Sequence, residues 1–155
     1  MITALDTNIQ LDVLVPGAPH GSACERSMDD AVRAGAVVIS EPVYAELAAH
    51  FPERRELDGF LEATGLRLVS SGANALHRAG KAWSAYVRRR PSSLSCAKCG
   101  RRVEARCPRC KLAVRPRQHV VADFLIGAHA MIHADRLLTR DRGYYATYFP
   151  ELRLG

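Results

Sequence analysis

Short apolar runs alternate along the chain with longer segments whose apolar residues recur at helical spacing. Apolar runs of strand length lie at residues 2–6, 36–40, 66–69 and 136–139. Apolar residues three and four positions apart mark residues 22–34, 42–50, 52–64, 74–90 and 118–133, and a short final piece covers 144–154. Strands separated by helices are typical of βα units, so the pattern predicts an α/β domain with a mostly parallel sheet.

The segment 74–90 contains the longest of these helical patterns. Leu76, Ala79, Trp83 and Val87 follow one another at spacings of three and four residues. Residues spaced in this way share one face of a helix, so we expect this stripe to pack into the core.

Length and composition fit one globular domain. The chain has 155 residues, 48% of them hydrophobic, which excludes a chain that is disordered throughout. No apolar run approaches the ~18 residues of a membrane span, and Met1 leads directly into the first strand without a basic leader. We therefore expect a cytoplasmic protein with no membrane partner, in a compartment where thiols stay reduced.

The net charge of +6 is unevenly distributed. Residues 88–117 contain 11 of the 22 Lys and Arg residues but a single acid, Glu104, which gives this block 11 − 1 = +10. The rest of the chain has 11 basic and 15 acidic residues, hence −4. A charged run of this kind is often a solvated face, but this one also contains four of the five cysteines.

Four acids follow the predicted strands or begin a helix. Asp6 ends the first strand, Glu46 lies about one helical turn after the second, and Asp141 comes two residues after Thr139. Asp123 lies near the start of an almost entirely apolar helix, where an unpaired charge costs several kcal/mol. Because open α/β sheets bind ligands beyond the carboxyl ends of their strands, we expect these acids to converge at one edge.

Converging carboxylates point to a bound cation. Taken singly, each acid could be a helix cap or a surface charge. Together they repel one another, and a divalent ion would neutralise that repulsion. Ligands that are all oxygen favour Mg²⁺ or Mn²⁺, which also bind phosphate oxygens, so the pattern indicates phosphodiester hydrolysis.

The motifs resemble those of a known family. Leu5-Asp6-Thr7-Asn8, the helical Glu46, the Asp123 helix with its Ala128, and Leu138-Thr139-Arg140-Asp141 occur in the order seen in PIN-domain nucleases, most closely the VapC-type toxins of bacterial toxin–antitoxin pairs. The resemblance covers about residues 1–90 and 118–155. It implies a three-layer α/β/α fold, Mg²⁺- or Mn²⁺-dependent endoribonuclease activity, a homodimer and a cognate antitoxin.

The resemblance also assigns roles to individual residues. Asp6, Glu46 and Asp123 would hold the principal metal ion, and Asp141 would complete the acidic pocket. Asn8 and Thr139 match the polar neighbours of the family's site.

The cysteines form two pairs with the spacing of metal knuckles. Cys96 and Cys99 make one CxxC pair, and Cys107 and Cys110 make the other. Two knuckles supply four sulfur ligands, so we predict a structural Zn²⁺ site in a minimal zinc ribbon, a two-stranded hairpin inserted at residues 92–117. An iron site, redox dithiols and incidental thiols are the alternatives.

The basic residues of the insertion suggest a contact with RNA. Arginines on a rigid ribbon beside a nuclease site could clamp phosphates, largely through charge because the insertion has few aromatic residues. The candidate residues are Arg101, Arg102, Arg106, Arg109, Lys111, Arg115 and Arg117.

Two other functions remain open at this stage. Some PIN proteins of ribosome maturation also carry a zinc ribbon, so the chain could be a housekeeping nuclease that processes rRNA or tRNA. It could also be an RNA-binding protein without catalysis. The RNA itself, whether tRNA, rRNA or mRNA, is not specified by the sequence.

Overall fold

The structure is a computed structural model that describes residues 1–89, 94–95, 101–114 and 121–155, of which 94, 95, 102, 113 and 114 are described by their backbone alone. In chain order the elements are β1 (Ile2–Leu5), α1 (Thr7–Leu14), α2 (Gly21–Ala34), β2 (Ala36–Ile39), α3 (Glu41–Ala48), α4 (Arg54–Thr64), β3 (Leu66–Leu68), α5 (Gly72–Arg89), β4 (Leu94–Ser95), β5 (Arg102–Val103), β6 (Ala105–Arg106), β7 (Ala113–Val114), α6 (Val121–His133), β8 (Arg136–Leu138) and α7 (Arg142–Tyr148). None of the helices in these ranges is long and apolar enough to cross a membrane.

The main sheet has four parallel strands in the order β3-β2-β1-β8. β1 lies at its centre, where Thr3 pairs with Val37 of β2 on one side and with Arg136 of β8 on the other. A single bridge between Leu137 and Leu154 continues the sheet beyond β8. Because all four strands run the same way, their carboxyl ends meet at one edge.

Helices flank the sheet. α1 packs on α2, which contacts β2, while α5 packs along α6, which contacts β1 and β8. The residues Leu5, Val37, Ile39 and Leu137 are at most 1% exposed, as expected of strands covered on both faces. The α/β fold with a parallel sheet between helices is confirmed.

The sequence pattern located most elements but missed α1. The chain enters α1 directly after Asp6, so the first strand ends at Leu5 and a helix of eight residues follows without a loop. Such a short helix contains few repeats of the apolar period. At the other end, the predicted final piece at 144–154 overlaps α7, which begins two residues earlier, at Arg142.

The predicted inner face of α5 was correct for Ala79 and wrong for Leu76 and Trp83. Leu76 and Trp83 are 52% and 40% exposed, whereas Ala75 and Ala79 are buried. Two registers of this helix satisfy the same spacing, and the one with small residues faces inward. Small side chains on α5 let it lie close to α6.

One glycine allows a close approach between α6 and the C-terminal region. A Cβ atom built on Gly127 would come within 3.0 Å of three atoms of the Phe149 ring. Phe149 is 1% exposed and packs beside Phe124, with ring centroids 6.4 Å apart. α6, the helix that carries Asp123, therefore packs directly against the Phe149 ring.

The insertion differs from the single hairpin predicted for it. β4 pairs with β5 and β6 pairs with β7, both antiparallel, so the described part contains two short hairpins. Cys107 and Cys110 lie between β6 and β7. Cys96, Cys99, Arg115 and Arg117 lie outside the described residues.

Candidate functional site

Asp6 stands where β1 gives way to α1, at the edge where the parallel strands end. Its backbone N–H donates to the carbonyl of Leu138 at 3.1 Å, which joins the ends of β1 and β8. Its side chain is buried, and Oδ2 accepts hydrogen bonds from Asn8 Nδ2 at 2.5 Å and from Thr139 Oγ1 at 2.6 Å. The carboxylate is thus held by residues of two different motifs.

Asn8 and Thr139 connect these motifs further. Asn8 Nδ2 also reaches Thr139 Oγ1 at 3.2 Å, and Asn8 Oδ1 accepts from the backbone N–H of Arg140 at 3.1 Å. Thr139 Oγ1 accepts from the backbone N–H of Asp141 at 3.0 Å. The two predicted polar neighbours therefore position Asp6 and the loop that contains Asp141.

The environment of Asp6 opposes its ionisation. Burial is the largest influence and raises the pKa of its carboxyl, and the nearby charge of Glu46 adds to the increase. The hydrogen bonds from Thr139 and from the backbone of Thr7 act in the opposite direction but do not cancel the increase.

Asp123 lies in the first turn of α6 and is half-buried. Burial raises the pKa of its carboxyl to about 6, and repulsion from Asp6, Glu46 and Asp141 contributes in that order. Asp6, Glu46 and Asp141 thus lie close enough to Asp123 for their charges to act on its carboxyl, although the four acids are far apart in the sequence.

Glu46 and Asp141 form the exposed side of this group. Both residues are exposed, Glu46 near the end of α3 and Asp141 at the start of α7. Asp141 also caps α7, since its Oδ1 accepts from the backbone N–H of Tyr144 at 3.3 Å. The cluster therefore has a buried side at Asp6 and a side open to solvent.

The side chains suit a hard divalent cation, because they are carboxylates with hydroxyl and amide neighbours. In the described ranges, however, no three His, Cys, Asp or Glu side chains meet the spacing of a metal site. Asp6, Glu46 and Asp141 lie near Asp123, but among the described residues no three of these acids come together as metal ligands do.

Two tyrosines that were not predicted as site residues lie beside the acids. Tyr145 is 1% exposed and lies near Asp6, and a hydrogen bond between the two side chains lowers the pKa of the Asp6 carboxyl. Burial is the main cause that raises the pKa of Tyr144 and of Tyr145, and the nearby acids raise both further. Tyr145 and Phe149 lie four apart around α7, and both are buried. That spacing was the available signal for an inward face.

The second cysteine pair, Cys107 and Cys110, lies in a tight turn between β6 and β7. Hydrogen bonds from the backbone N–H groups of Cys110 and Arg109, and from the Cys110 side chain, lower the pKa of the Cys107 thiol. The turn is closed by hydrogen bonds from Cys107 N–H to the Leu112 carbonyl and from Lys111 N–H to the Cys107 carbonyl, both 2.9 Å. Neither cysteine is in a disulfide.

Basic side chains surround this turn. Arg101, Arg106, Arg109 and Lys111 are exposed, while Arg102 is described by its backbone alone. Nothing acidic in the described part of the insertion balances them except Glu104.

The Cys24 thiol and the imidazoles of His129 and His133 pack against neighbouring residues away from the acids. Cys24 is 4% exposed and its thiol lies 3.4 Å from Asp12 Oδ2. His129 and His133 are neighbours on α6, with ring centroids 4.7 Å apart. His129 Nδ1 lies 3.3 Å from Ser71 Oγ, and His133 Nε2 lies 3.0 Å from the Ser71 carbonyl.

Solved structures with the same fold come from toxin–antitoxin complexes. The chain is similar to VapBC2 from Rickettsia felis bound to a DNA fragment from their promoter, with 18% identity, a TM-score of 0.60, and coverage of 100% of this chain and 98% of that chain. It is similar to VapBC-1 from nontypeable Haemophilus influenzae, with 18% identity, a TM-score of 0.61, and coverage of 100% and 97%. FitAB bound to the IR36 DNA fragment also matches, with 18% identity, a TM-score of 0.54, and coverage of 100% and 94%.

No curated protein sequence matches the chain. At 18% identity the structural likeness concerns the fold. The sequence profile of the PIN domain, in contrast, matches residues 3–150 and so spans the strands, the four acids and the insertion between them. The chain belongs to the PIN domain family.

Proposed function

We propose that this chain is a Mg²⁺- or Mn²⁺-dependent endoribonuclease that acts as the toxin of a type II toxin–antitoxin pair. PIN domains are typically nucleases that use divalent ions of this kind. The observation that carries the proposal is the placement of Asp6, Glu46 and Asp141 near Asp123, with Asp6 held by the Thr139 hydroxyl at the edge where the strands end. A cation bound between these carboxylates would offset their repulsion and would bind a phosphodiester beside them.

Asp6, Glu46 and Asp123 would hold the principal ion, with Asp141 beside them. When bound, a divalent ion polarises the scissile phosphate and lowers the pKa of an attacking water. Asp6 would act as a fixed ligand, because Asn8 and Thr139 already orient its carboxylate. Asp123, with a carboxyl pKa of about 6, is mostly ionised at neutral pH and so available to a cation.

Three further parts of the proposal concern partners. The fold is shared with VapBC and FitAB structures, which supports a cognate antitoxin for this chain. A homodimer and an RNA substrate follow from the same family membership. A cytoplasmic location agrees with a toxin that acts on cellular RNA.

We also propose that Cys96, Cys99, Cys107 and Cys110 bind a structural Zn²⁺. Hydrogen bonds to the Cys107 sulfur favour its thiolate, which is the form that binds zinc. Native mass spectrometry of the purified chain should find one zinc per chain, and Cys107→Ser should lose it. A wild-type chain free of zinc after expression in zinc-supplemented medium would contradict this proposal.

The basic side chains of the insertion would then bind RNA phosphates. Removal of one side chain that binds a phosphate should reduce the slope of log K against log salt by roughly 0.7 for single-stranded RNA. Arg109→Gln and Lys111→Gln should each flatten the slope, whereas Arg67→Gln on β3 serves as the control. An affinity that does not depend on salt would exclude this role of the insertion.

The central test is mapping of cleavage sites after induced expression, with wild type, Asp6→Asn and the control Asp30→Asn. Asp30 is exposed on α2 and outside the acid group. We expect defined RNA cleavage with wild type and Asp30→Asn, and loss of at least about 100-fold with Asp6→Asn. Full cleavage by Asp6→Asn would refute the nuclease assignment.

Two features of the same experiment identify the physiological role. Discrete cuts in one tRNA or rRNA, together with growth arrest that a neighbouring small gene relieves, would support the toxin. Cuts that produce mature rRNA or tRNA ends would favour the housekeeping nuclease. Absence of Mn²⁺-stimulated cleavage by the purified, folded protein would favour an RNA-binding protein.

A further inference from the structure

A cavity of about 500 Å³ lies beside the acids, on the side of β8. Its size falls within the ~300–1,000 Å³ typical of sites for small ligands. Apolar side chains form one part of its lining and polar or charged side chains form another. The residues that line it include Ile9, Cys24, Ser27, Leu138, Arg140 and Arg142.

The cavity and the acid group are built on the same short segment of chain. Thr139 binds Asp6, and Asp141 belongs to the acid group, whereas Arg140 and Arg142 line the cavity. Consecutive Cα atoms are about 3.8 Å apart, so the two sites are direct neighbours. A chain of nucleotides that places one phosphate at the acids would place the next nucleotide at the cavity.

The Arg140 side chain is held in place by an ion pair. Its Nε forms an ion pair with Asp12 Oδ2 at 2.8 Å, and the Asp12 side chain is only 13% exposed. The Cys24 thiol donates to the same carboxylate oxygen at 3.4 Å. Asp12 thus neutralises Arg140, while Arg142 is exposed at the opening and has no ion pair within the described part of the chain.

We propose that this cavity binds the single unpaired nucleotide next to the cleaved bond, with its base against Ile9 and Leu138 and its phosphate at Arg142. This inference rests on the proposed nuclease function and adds a substrate subsite to it. Ile9 and Leu138 are almost completely buried and form part of the apolar floor of the cavity, so a base that enters it would cover the small area that they expose.

The proposal requires single-stranded RNA. A base can enter a cavity of this kind only when it is unstacked and turned out of a helix, as it is in loops and at ends. An arginine suits the accompanying phosphate, because its guanidinium binds phosphate oxygens in pairs. A duplex would present its backbone and keep its bases away from Leu138.

The first test is an NMR titration that reads the methyl groups of Ile9, Ala23 and Leu138. The probes are the four nucleoside 5′-monophosphates, the corresponding nucleosides and inorganic phosphate, each up to about 10 mM. We expect at least one monophosphate to shift these methyl signals more than the nucleoside or phosphate alone. Asp6→Asn should bind the same monophosphate, because Asp6 is outside the cavity.

Two variants and a control make the test specific. Arg142→Gln should weaken monophosphate binding roughly fivefold or more, since it removes the charge at the phosphate. Ser27→Phe should abolish the shifts, because a phenyl group at this half-buried position would fill the cavity. Arg67→Gln, at the opposite edge of the sheet, should behave as wild type.

Several outcomes would overturn the proposal. They are no shift with any monophosphate, shifts that phosphate alone reproduces, or shifts that Ser27→Phe retains. If the chain cleaves RNA, Ser27→Phe should also change the base preference at one position beside the cut. A nuclease whose base preference is unchanged by Ser27→Phe would disprove the subsite alone, whereas monophosphate binding without any cleavage would disprove the nuclease alone.

Discussion

The Thr139 hydroxyl donates a 2.6 Å hydrogen bond to Oδ2 of Asp6, across 133 positions of the sequence. This contact joins the end of the central strand β1 to the end of β8. Thr139 is 3% exposed, so the bond is shielded from water. The orientation of the first acid therefore depends on a residue that is not itself a proposed metal ligand.

We predict that Thr139→Val reduces Mn²⁺ affinity and RNA cleavage by about 10- to 100-fold, as is usual when a metal ligand loses its supporting hydrogen bond. Thr139→Ser keeps the hydroxyl and should stay close to wild type. Mn²⁺ affinity can be measured by the shift of the unfolding temperature with ion concentration. Equal Mn²⁺ affinity in Thr139→Val and wild type would contradict the positioning role.

Asp123→Asn should stabilise the metal-free protein at neutral pH. Because the folded-state pKa of Asp123, about 6, lies above the ordinary value of 3.8, the protonated form is favoured by folding. Its contribution is present below pH 3.8 and is lost as pH rises through 6, so the variant should gain about 1–3 kcal/mol at pH 7.5 and nothing at pH 3.5. Denaturant unfolding with Glu62→Gln as the exposed control checks this.

The same variant should lose its response to Mn²⁺. Wild type should be stabilised by the ion at pH 7.5, since the cation offsets the repulsion among the acids. An Asp123→Asn protein that is less stable than wild type without metal, and equally stabilised by Mn²⁺, would argue against a shared site.

His129 should make the protein less stable in acid. It is fully buried, and burial, followed by the nearby His133, lowers its pKa from 6.5 to about 4. A lowered histidine pKa gives stability above pH 6.5 that is lost as pH falls toward 4, at most about 3 kcal/mol. Its NMR signals should therefore not titrate above pH 5, and a titration midpoint near 6.5 would contradict the burial.

The contributions of His129 and Asp123 to the free energy of unfolding change with pH in opposite directions over nearly the same pH range. In wild type the two contributions should partly offset each other between about pH 4 and 6, while the raised pKa of Asp6 acts in the same direction as that of Asp123. His129→Gln should therefore become more stable as the pH falls through this range, while Asp123→Asn should become less stable. His77→Gln, at an exposed position on α5, is the matched histidine control.

Gly127→Ala should destabilise the fold by about 1–3 kcal/mol, because its methyl group would overlap the Phe149 ring. The double variant Gly127→Ala with Phe149→Leu should recover part of the loss, since the smaller side chain leaves room. Thermal unfolding of the two single variants and the double variant measures this coupling. A wild-type stability for Gly127→Ala would show that the ring moves aside at no cost.

The fold was largely predictable because its strands are continuous apolar runs and its helices repeat apolar positions. The face of a helix that is buried was harder to predict. In α5 the larger residues Leu76 and Trp83 remain exposed, while Ala75 and Ala79 face inward. The sequence indicates that a helix has an apolar face, but the space left by α6 decides which of two similar faces is buried.

The acids were predictable for a different reason. Parallel strands end at one edge, so residues that follow strands must meet there. Tyr145 was missed because its part in the site depends on how α7 folds back toward Asp6, which local spacing does not reveal. The second hairpin was missed because strands of two residues carry almost no period.

The insertion, residues 92–117, lies between α5, which ends at Arg89, and α6, which begins at Val121. These two helices pack together, and Tyr86 and Phe124 near their adjoining ends have ring centroids 5.6 Å apart. The insertion thus connects two packed helices, and the second of them begins two residues before Asp123. Replacing the insertion with a short turn should leave the rest of the PIN domain folded. The insertion would then be separable from the acidic site, so that changes in it would alter the choice of substrate without altering the acids.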